Sequence, residues 1–270
     1  MLGAIIGDIV GSRFEFNPTN DFDFELFTDE CSFTDDTICT IAVADALLKG
    51  IDYGKSIHTW CRRYPNPMGG YGISFRKWVM SDNPQPYNSY GNGAAMRVSP
   101  IGMWFDDWKE IYPEAEKCAA CSHNHPEGIK GAQATAACIF LARTGKSKEE
   151  IKDYIEKTFG YNLSRTCDEI RPSYKFDESC QGTVPESIIA FLDSTDFENA
   201  KIYIGGGMAN NANHELGDAT IHSVRVFDGT LDVNAIKALD KIVVNVNTVD
   251  DFKNGKIYTF VTERGWMGAK

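Results

Sequence analysis

The chain has 270 residues, enough to bury a sizeable hydrophobic core in one or two domains. It carries 27 lysines and arginines against 38 aspartates and glutamates, and this net charge of −11 argues against nucleic acid and anionic membrane surfaces as partners. No apolar run approaches the roughly 18 residues of a membrane span, and the N-terminal segment lacks the basic start of a signal peptide, so the sequence predicts neither feature.

The eight cysteines are dispersed along the chain, several within apolar helical patterns. This distribution is typical of reduced, buried thiols and predicts a cytoplasmic protein without a disulfide framework. Cys118 and Cys121 have zinc-like spacing, with His123 and His125 close behind. All four are too close together for an ordinary structural zinc site, so we interpret the pair as part of a buried helix face.

Residues 1–200 show helical periodicity. The clearest pattern occupies residues 37–50, where apolar residues recur every three or four positions until Gly50 ends the run. Further helices are predicted over residues 53–64, 129–145, 147–160 and 184–194. The small residues of 131–138 are suited to close packing between helices.

The composition changes near residue 200. All ten prolines and all eight cysteines precede it, whereas valine is concentrated after it. Alternating apolar and polar residues predict strands over 219–229, 241–249 and 256–263, with a short helix over 232–241. The predicted fold is therefore an all-α domain, residues 1–200, with an appended β-rich region, residues 201–270.

Two adjacent carboxylates, Asp35 and Asp36, lie at the predicted start of the 37–50 helix, in the sequence "FTDDT". One interpretation is helix capping, because the free N–H groups and the dipole at a helix N-terminus favour negative charge. The other is a hard-cation site, in which both carboxylates and a threonine oxygen converge on Mg²⁺ or Ca²⁺. The tetrapeptide alone leaves both open.

Three other segments carry unusual polar residues. "GDIVGSRFEF" places Asp8 and Glu15 around two glycines, and "SHNHPEGIKGAQATAA" places His123 and His125 directly before a helix. "SYGNGAAMRVSPIG", residues 89–102, is a glycine-rich loop whose free N–H groups could hold phosphates.

In this order, and followed by "ESCQGTVPESIIAFLDSTDFENA", these segments resemble the ADP-ribosylglycohydrolase family over about residues 1–200. The resemblance implies an all-α fold with a binuclear Mg²⁺ cleft that binds ADP-ribose. The implied activity is hydrolysis of ADP-ribose from a modified arginine or a related N- or O-linked acceptor. The implied partner is an ADP-ribosylated protein or a small ADP-ribose conjugate.

Residue roles follow from the resemblance, motif by motif. It implies that Thr34, Asp35 and Asp36 ligate one or two Mg²⁺ ions, and that Asp35, Asp36 and Glu15 take part in catalysis, Glu15 from a lid over the site. The residues implied to bind the substrate are Ser89, Tyr90, Gly91, Asn92, Gly93, His123 and His125. Cleavage at C1″ of the ribose passes through an oxocarbenium-like state, in which metals orient hydroxyls and activate water while a carboxylate takes its proton.

The family's second metal motif, a "GGDSDT"-like sequence, is not matched after "DFENA", where this chain has "GGGMANNANHELGDAT". Five residues of the replacement could reach back to the site: Asn210, Asn211, His214, Glu215 and Asp218. The alternative is a catalytically impaired protein that binds ADP-ribose or serves assembly.

The C-terminal region has a short resemblance of its own. Residues 202–239 resemble the closing strands of a laminin-G or concanavalin-A-like sandwich, although an ordinary pair of hairpins would give a similar pattern. An incomplete sheet has open edges, so oligomerisation or partner docking through residues 201–270 is predicted.

Overall fold

The computed structural model describes residues 1–16, 24–25 and 27–194, together with three short strands at 242–244, 260–262 and 265–267. Contacts divide the chain into two units, Met1–Asp228 and Gly229–Lys270. Among the described residues of the first unit the regular structure is helical, as the sequence predicts. The boundary predicted near residue 200 lies outside the described residues.

The helices of the first unit are α1 (Leu2–Gly11), a 3₁₀ turn (Ser12–Phe14), α2 (Asp35–Lys49), α3 (Tyr53–Arg63), α4 (Ile73–Met80), α5 (Gly93–Met96), α6 (Ser99–Trp104), α7 (Trp108–Ala120), α8 (Pro126–Arg143), α9 (Lys148–Phe159), α10 (Cys167–Ile170) and α11 (Cys180–Asp193).

Local signals set the ends of α2. Thr34 is its N-cap, and the Thr34 hydroxyl accepts a hydrogen bond from the Asp36 N–H at 3.2 Å. At the other end Gly50 adopts the left-handed conformation, φ 62°, that glycine takes without steric cost. The predicted end of this helix is therefore confirmed.

Helix α8 lies in the middle of the core, where it packs against α5, α6, α7, α9 and α11. Its small residues allow this close approach. A Cβ atom at Gly131 would lie 2.5 Å from the Cys180 Sγ of α11, and one at Gly102 of α6 would lie 2.7 Å from the Ala136 carbonyl of α8. The packing role predicted for residues 131–138 is confirmed.

The second unit contains three antiparallel strands in the order β1 (Ile242–Val244), β2 (Phe260–Thr262) and β3 (Gly265–Met267). Val243 pairs with Val261, and Val261 pairs with Trp266. Strands β1 and β2 fall within the segments predicted to be extended. The strand predicted over 219–229 and the helix over 232–241 lie outside the described residues.

None of the eight cysteines is in a disulfide bond, and seven of them are buried. Among the helices of the described part of the chain, none has the length and apolar composition needed to span a bilayer.

The N-terminus of α2 is tied to α1 by a single buried carboxylate. Asp8 of α1 accepts hydrogen bonds from the Thr34 N–H at 2.9 Å and the Thr34 hydroxyl at 2.6 Å. It accepts two more from Thr37, from the N–H at 3.2 Å and the hydroxyl at 2.5 Å. Asp8 thus satisfies donors at the first turn of α2 that the helix itself cannot satisfy.

We predict that Asp8→Ala lowers the free energy of unfolding by about 3 kcal/mol or more, because it leaves several buried donors without an acceptor. Chemical denaturation followed by circular dichroism measures this. Asp82→Ala is the control: its carboxylate is 98% exposed and, among the described residues, pairs with Arg62 at the surface, so a change below about 0.5 kcal/mol is expected. Equal stability of the two variants would contradict the role of Asp8.

Candidate active site

Four acidic side chains are buried where α1 meets α2: Asp8, Glu15, Asp35 and Asp36. The structure therefore brings together the three carboxylates predicted to be catalytic and adds Asp8. Burial raises the pKa of Asp36 well above its ordinary value, and the nearby charges of Asp8, Asp35 and Glu15 raise it further. Such a cluster favours any positive charge that enters it.

Asp36 is 2% exposed, and neither of its carboxylate oxygens has a hydrogen-bond partner among the described residues. The side-chain cap of α2 is Thr34, with Asp8 supporting it from α1. For Asp36, the geometry therefore favours the cation interpretation over capping. A buried carboxylate without donors is costly unless a proton or a cation compensates its charge.

Glu15 follows the 3₁₀ turn and is also buried. Its Oε2 has no hydrogen-bond partner within the described part of the chain. Burial, and secondarily the charge of Asp8, raises the pKa of Glu15 to about 8. Gly69, in the α3–α4 loop, lies so close that a Cβ atom there would overlap the Glu15 carboxylate.

The oxygen atoms of this cluster are the kind of ligand that Mg²⁺ prefers. Thr34 donates its hydroxyl hydrogen to Asp8, so its oxygen can turn a lone pair toward a cation. Asp36 and Glu15 add oxygens that no described residue occupies. The donor set fits a hard cation, although no three His, Cys, Asp or Glu side chains of the described residues already stand at metal-binding spacing.

The glycine-rich loop lies against residues 178–180 and the start of α8. The Gly91 N–H donates to the Ser89 hydroxyl at 3.1 Å, and the Asn92 N–H donates to the Glu178 carbonyl at 2.7 Å. These two N–H groups are therefore not free for phosphates, contrary to the expectation from the sequence. The partner of Asn92 is distant in the chain, so no local pattern indicates this bond.

Two of the predicted substrate-binding side chains lie at the rim of this loop. Tyr90 is 52% exposed, and its ring contacts His125 edge-to-face at 5.4 Å between centroids. His125 is the N-cap of α8 and accepts the Glu127 N–H at its Nδ1, 3.1 Å away. An exposed aromatic ring beside a glycine-rich loop is suited to stacking against a base.

Two more of these side chains, those of Asn92 and His123, are buried. The Asn92 side chain is fully buried, and neither its oxygen nor its nitrogen has a partner in the described ranges. His123 is 1% exposed, and a Cβ atom at Gly93 would lie 3.0 Å from its Nε2. Burial, and secondarily the charge of Arg97, lowers the pKa of His123 well below its ordinary value, so the ring is neutral. Buried polar groups without partners are uncommon in folded proteins and indicate sites for ligands.

Helices α2 and α5 join the two halves of the predicted site, since the Thr40 hydroxyl of α2 donates to the Met96 carbonyl of α5 at 3.4 Å. The carboxylate cluster precedes α2, and the glycine-rich loop leads into α5. The sequence did not identify Asp8 as part of the site, although an aspartate inside the apolar segment 2–11 was a usable signal. Arg97 and Ser122, which contact His123 or its neighbours, gave no comparable signal.

Comparison with known proteins supports the family assignment. The model of the ADP-ribosylglycohydrolase family matches residues 1–242, which extends beyond the boundary predicted near residue 200. ADP-ribosylhydrolase ARH3 of Bos taurus is 28% identical over 194 residues, which are 60% of this chain and 53% of that protein. ADP-ribosylarginine hydrolase Tri1 of Pseudomonas putida (strain GB-1) is 26% identical over 250 residues, covering 78% of this chain and 65% of Tri1.

The fold agrees with this assignment. A solved "ADP-ribosylglycohydrolase-related protein complex" superposes with a TM-score of 0.58 and 20% sequence identity, covering 76% of this chain and 79% of that one. The chain spans about half the length of the ARH3 relatives it matches. The family match over residues 1–242 nevertheless covers most of the chain, which therefore belongs to the ADP-ribosylglycohydrolase family.

Proposed function

We propose that the protein hydrolyses the glycosidic bond between ADP-ribose and a modified acceptor, an ADP-ribosylated protein or small conjugate, in the cytoplasm. The observation that carries this proposal is Asp36, a buried carboxylate with no donor among the described residues and with Asp8, Asp35 and Glu15 nearby. Family membership supports the reaction class, and the similarity to a relative named as an ADP-ribosylarginine hydrolase supports an arginine linkage.

The buried carboxylates have distinct roles in this proposal. In hydrolysis a water oxygen bonds to C1″ of the ribose and loses a proton. The bond from C1″ to the acceptor breaks, its electron pair stays on the acceptor atom, and that atom gains a proton. Glu15 takes the proton of the water at Oε2 in its ionised form and passes it to the acceptor atom. Its pKa of about 8 applies to the cation-free protein, and a cation held by the neighbouring carboxylates would lower it. Asp8 keeps Thr34 and the first turn of α2 in place while this occurs.

We propose that Thr34, Asp35 and Asp36 hold one or two Mg²⁺ ions. When bound, Mg²⁺ supplies Lewis-acid chemistry and orients ribose hydroxyls. Asp36 contributes two carboxylate oxygens without donors in the described structure, and Thr34 contributes a hydroxyl oxygen whose hydrogen points to Asp8. The residues that could complete a second half-site, such as Glu215 and Asp218, lie outside the described residues.

The alternative function is a catalytically impaired ADP-ribose-binding or assembly protein. It rests on "GGGMANNANHELGDAT", which replaces the aspartate-containing motif at the second half-site. In that case residues 201–270 would act as a β-rich docking element. The three antiparallel strands of the second unit support the β-rich part of this interpretation.

The decisive experiment measures release of free ADP-ribose from an arginine-linked and an O-linked mono-ADP-ribosylated peptide, with Mg²⁺ and with EDTA. We expect release to require Mg²⁺ and to fall at least about 100-fold in Asp36→Asn, which loses a charge worth several kcal/mol at the reacting centre. The matched control is Asp45→Asn, the same change in the second half of α2, where the carboxylate pairs with Lys49.

Unchanged release by Asp36→Asn, or release by the wild type in EDTA, would contradict this use of the carboxylates. A folded wild type that binds ADP-ribose but releases none from either peptide would favour the impaired alternative. The peptide that is cleaved faster identifies the linkage.

Glu15 makes the stability of the cation-free protein depend on pH. Its carboxyl group keeps a proton up to about pH 8 in the folded state but loses it near pH 4.5 in the unfolded chain. The folded state therefore binds more protons in that window, so stability is greatest at the acid end and decreases as the pH rises toward 8.

We expect the Tm in EDTA to fall by several degrees from pH 5 to pH 8, since each kcal/mol shifts the Tm of a domain this size by about 2–4 °C. Glu15→Gln should reduce this slope, and Glu30→Gln, at an exposed glutamate, should leave it unchanged. Scanning fluorimetry at fixed ionic strength measures both. An equal slope in the wild type and in Glu15→Gln would contradict the raised pKa of Glu15.

Gly69 gives a second test of Glu15. Gly69→Ala would force the Glu15 carboxylate to move, because the new methyl group overlaps it, and we expect release of ADP-ribose to fall by about tenfold or more. Gly145→Ala is the matched control: its φ is also positive, +86° against +77°, but no atom of the described residues lies within 4 Å of the added Cβ. Both substitutions strain the backbone, but only Gly69→Ala contacts Glu15. Equal activities of the two variants would therefore contradict a role for the position of the Glu15 carboxylate in catalysis.

A further inference from the structure

Arg97 is a fully buried arginine, and no described carboxylate forms an ion pair with it. It directly follows α5, and its Nη2 lies 2.9 Å from the Ser122 hydroxyl oxygen and 3.0 Å from the Cys118 carbonyl. These two short contacts match the two hydrogens that Nη2 carries. The carbonyl belongs to the last turn of α7, where the negative end of the helix dipole stabilises a positive charge.

The Ser122 hydroxyl connects Arg97 to His123. Its oxygen lies 2.8 Å from the Nδ1 of His123, and both residues are buried in the turn between α7 and α8. Arginine can only donate, so the hydroxyl oxygen accepts from Nη2 and its hydrogen is left for Nδ1. A neutral imidazole that accepts at Nδ1 carries its own hydrogen on Nε2.

The electrostatics of the site agree with a hydrogen bond donated by the Ser122 hydroxyl to His123. Burial and the charge of Arg97 both lower the pKa of His123, so the ring stays neutral and has one hydrogen to place. The opposite tautomer would point two hydrogens toward one another between Ser122 and His123, or turn the hydroxyl hydrogen to the weak sulfur acceptor of Cys121, 3.9 Å away. Arg97 therefore determines the tautomer of His123 through one hydroxyl group.

The Nε2 of His123 faces the end of the glycine-rich loop. It has no hydrogen-bond partner in the described part of the chain, and a Cβ at Gly93 would lie 3.0 Å away. The fully buried Asn92 side chain, which precedes Gly93, also has both polar atoms without partners there. Two unsatisfied, buried polar side chains at adjoining positions indicate a place where a polar ligand completes the hydrogen bonding.

We infer that Arg97 and Ser122 are positioning residues that fix His123 as a permanent Nε2–H donor to an acceptor oxygen of bound ADP-ribose beside Gly93. This inference rests on the proposed ligand, ADP-ribose, and assigns new roles to residues that do not touch it. A neutral donor of fixed direction binds an oxygen atom without the cost of burying another charge next to Arg97. A side chain at Gly93 would crowd this donor, because its Cβ atom would lie 3.0 Å from Nε2.

The first test measures the tautomer of His123 in the wild-type chain. The full chain labelled with ¹⁵N-histidine is studied at pH 7 by long-range ¹H–¹⁵N correlation, and His123→Gln assigns the resonance among the five histidines. We expect a protonated Nε2 and an unprotonated Nδ1 at His123. An imidazolium ion, or a hydrogen on Nδ1, would overturn the inference.

The second test measures the affinity for free ADP-ribose by calorimetry. Ser122→Ala removes the hydroxyl, so we expect the Nε2–H signature to be lost or mixed with the other tautomer and the affinity to fall by about tenfold, the worth of one hydrogen bond. Ser122→Thr keeps the hydroxyl and should restore both the tautomer and the affinity. A role in packing alone would leave the tautomer unchanged in Ser122→Ala.

The outcomes separate this inference from the proposed function. Unchanged affinity in a folded Ser122→Ala protein overturns the inference while hydrolysis by the wild type still supports the function. The expected tautomer and affinity loss, without hydrolysis, support the inference and contradict the proposed reaction. A wild type that does not bind ADP-ribose contradicts both.

Discussion

The site depends on one buried carboxylate, Asp8, which holds the first turn of α2 against α1. Burying a carboxylate without compensation would cost several kcal/mol, and its four hydrogen bonds to Thr34 and Thr37 offset part of that cost. Burial still raises the pKa of Asp8, although these hydrogen bonds lower it. The arrangement fixes the direction of the Thr34 hydroxyl and leaves Asp36 without a donor among the described residues. The stability of α2 and the unsatisfied charge of Asp36 therefore have a common origin.

Opposite charges lie near the two ends of the α2–α5 contact. The carboxylates of Asp36 and Glu15 lie at the start of α2, whereas the guanidinium of Arg97 follows α5 and is stabilised by the end of α7. The described residues show no ion pair between them. A substrate that carries a sugar next to a diphosphate has neutral hydroxyls for the carboxylate end and acceptor oxygens for the His123 end. An internal ion pair would occupy the groups at both ends. Because the groups are separate, each end stays available to a ligand that has hydroxyl groups at one end and acceptor oxygens at the other.

The sequence predicts those features of the fold that depend on neighbouring residues. The Gly50 stop of α2 and the small residues of α8 were predicted from near neighbours or from periodicity, and the structure agrees. Roles that depend on a residue far along the chain could not be predicted in this way. Asp8 acquires its role from Thr34 and Thr37, more than 25 positions away, and the Asn92 N–H is used by the Glu178 carbonyl. Family resemblance grouped the carboxylates, but only the folded chain distinguishes Asp36, which has no donor among the described residues, from Thr34, which caps the helix.

Because Glu15 is buried, the pKa of its carboxyl group depends strongly on the charges near it. In an exposed position its carboxylate would be ionised at neutral pH and a weak base, whereas burial beside Asp8 brings its pKa to about 8. Positive charge entering near Asp36 would lower that pKa, because it opposes both the desolvation and the repulsion that raise it. The proton affinity of Glu15 therefore falls when a cation binds to the neighbouring carboxylates and rises when the cation leaves. Gly69 adds a steric condition, since only a residue without a side chain leaves the Glu15 carboxylate where this coupling can operate.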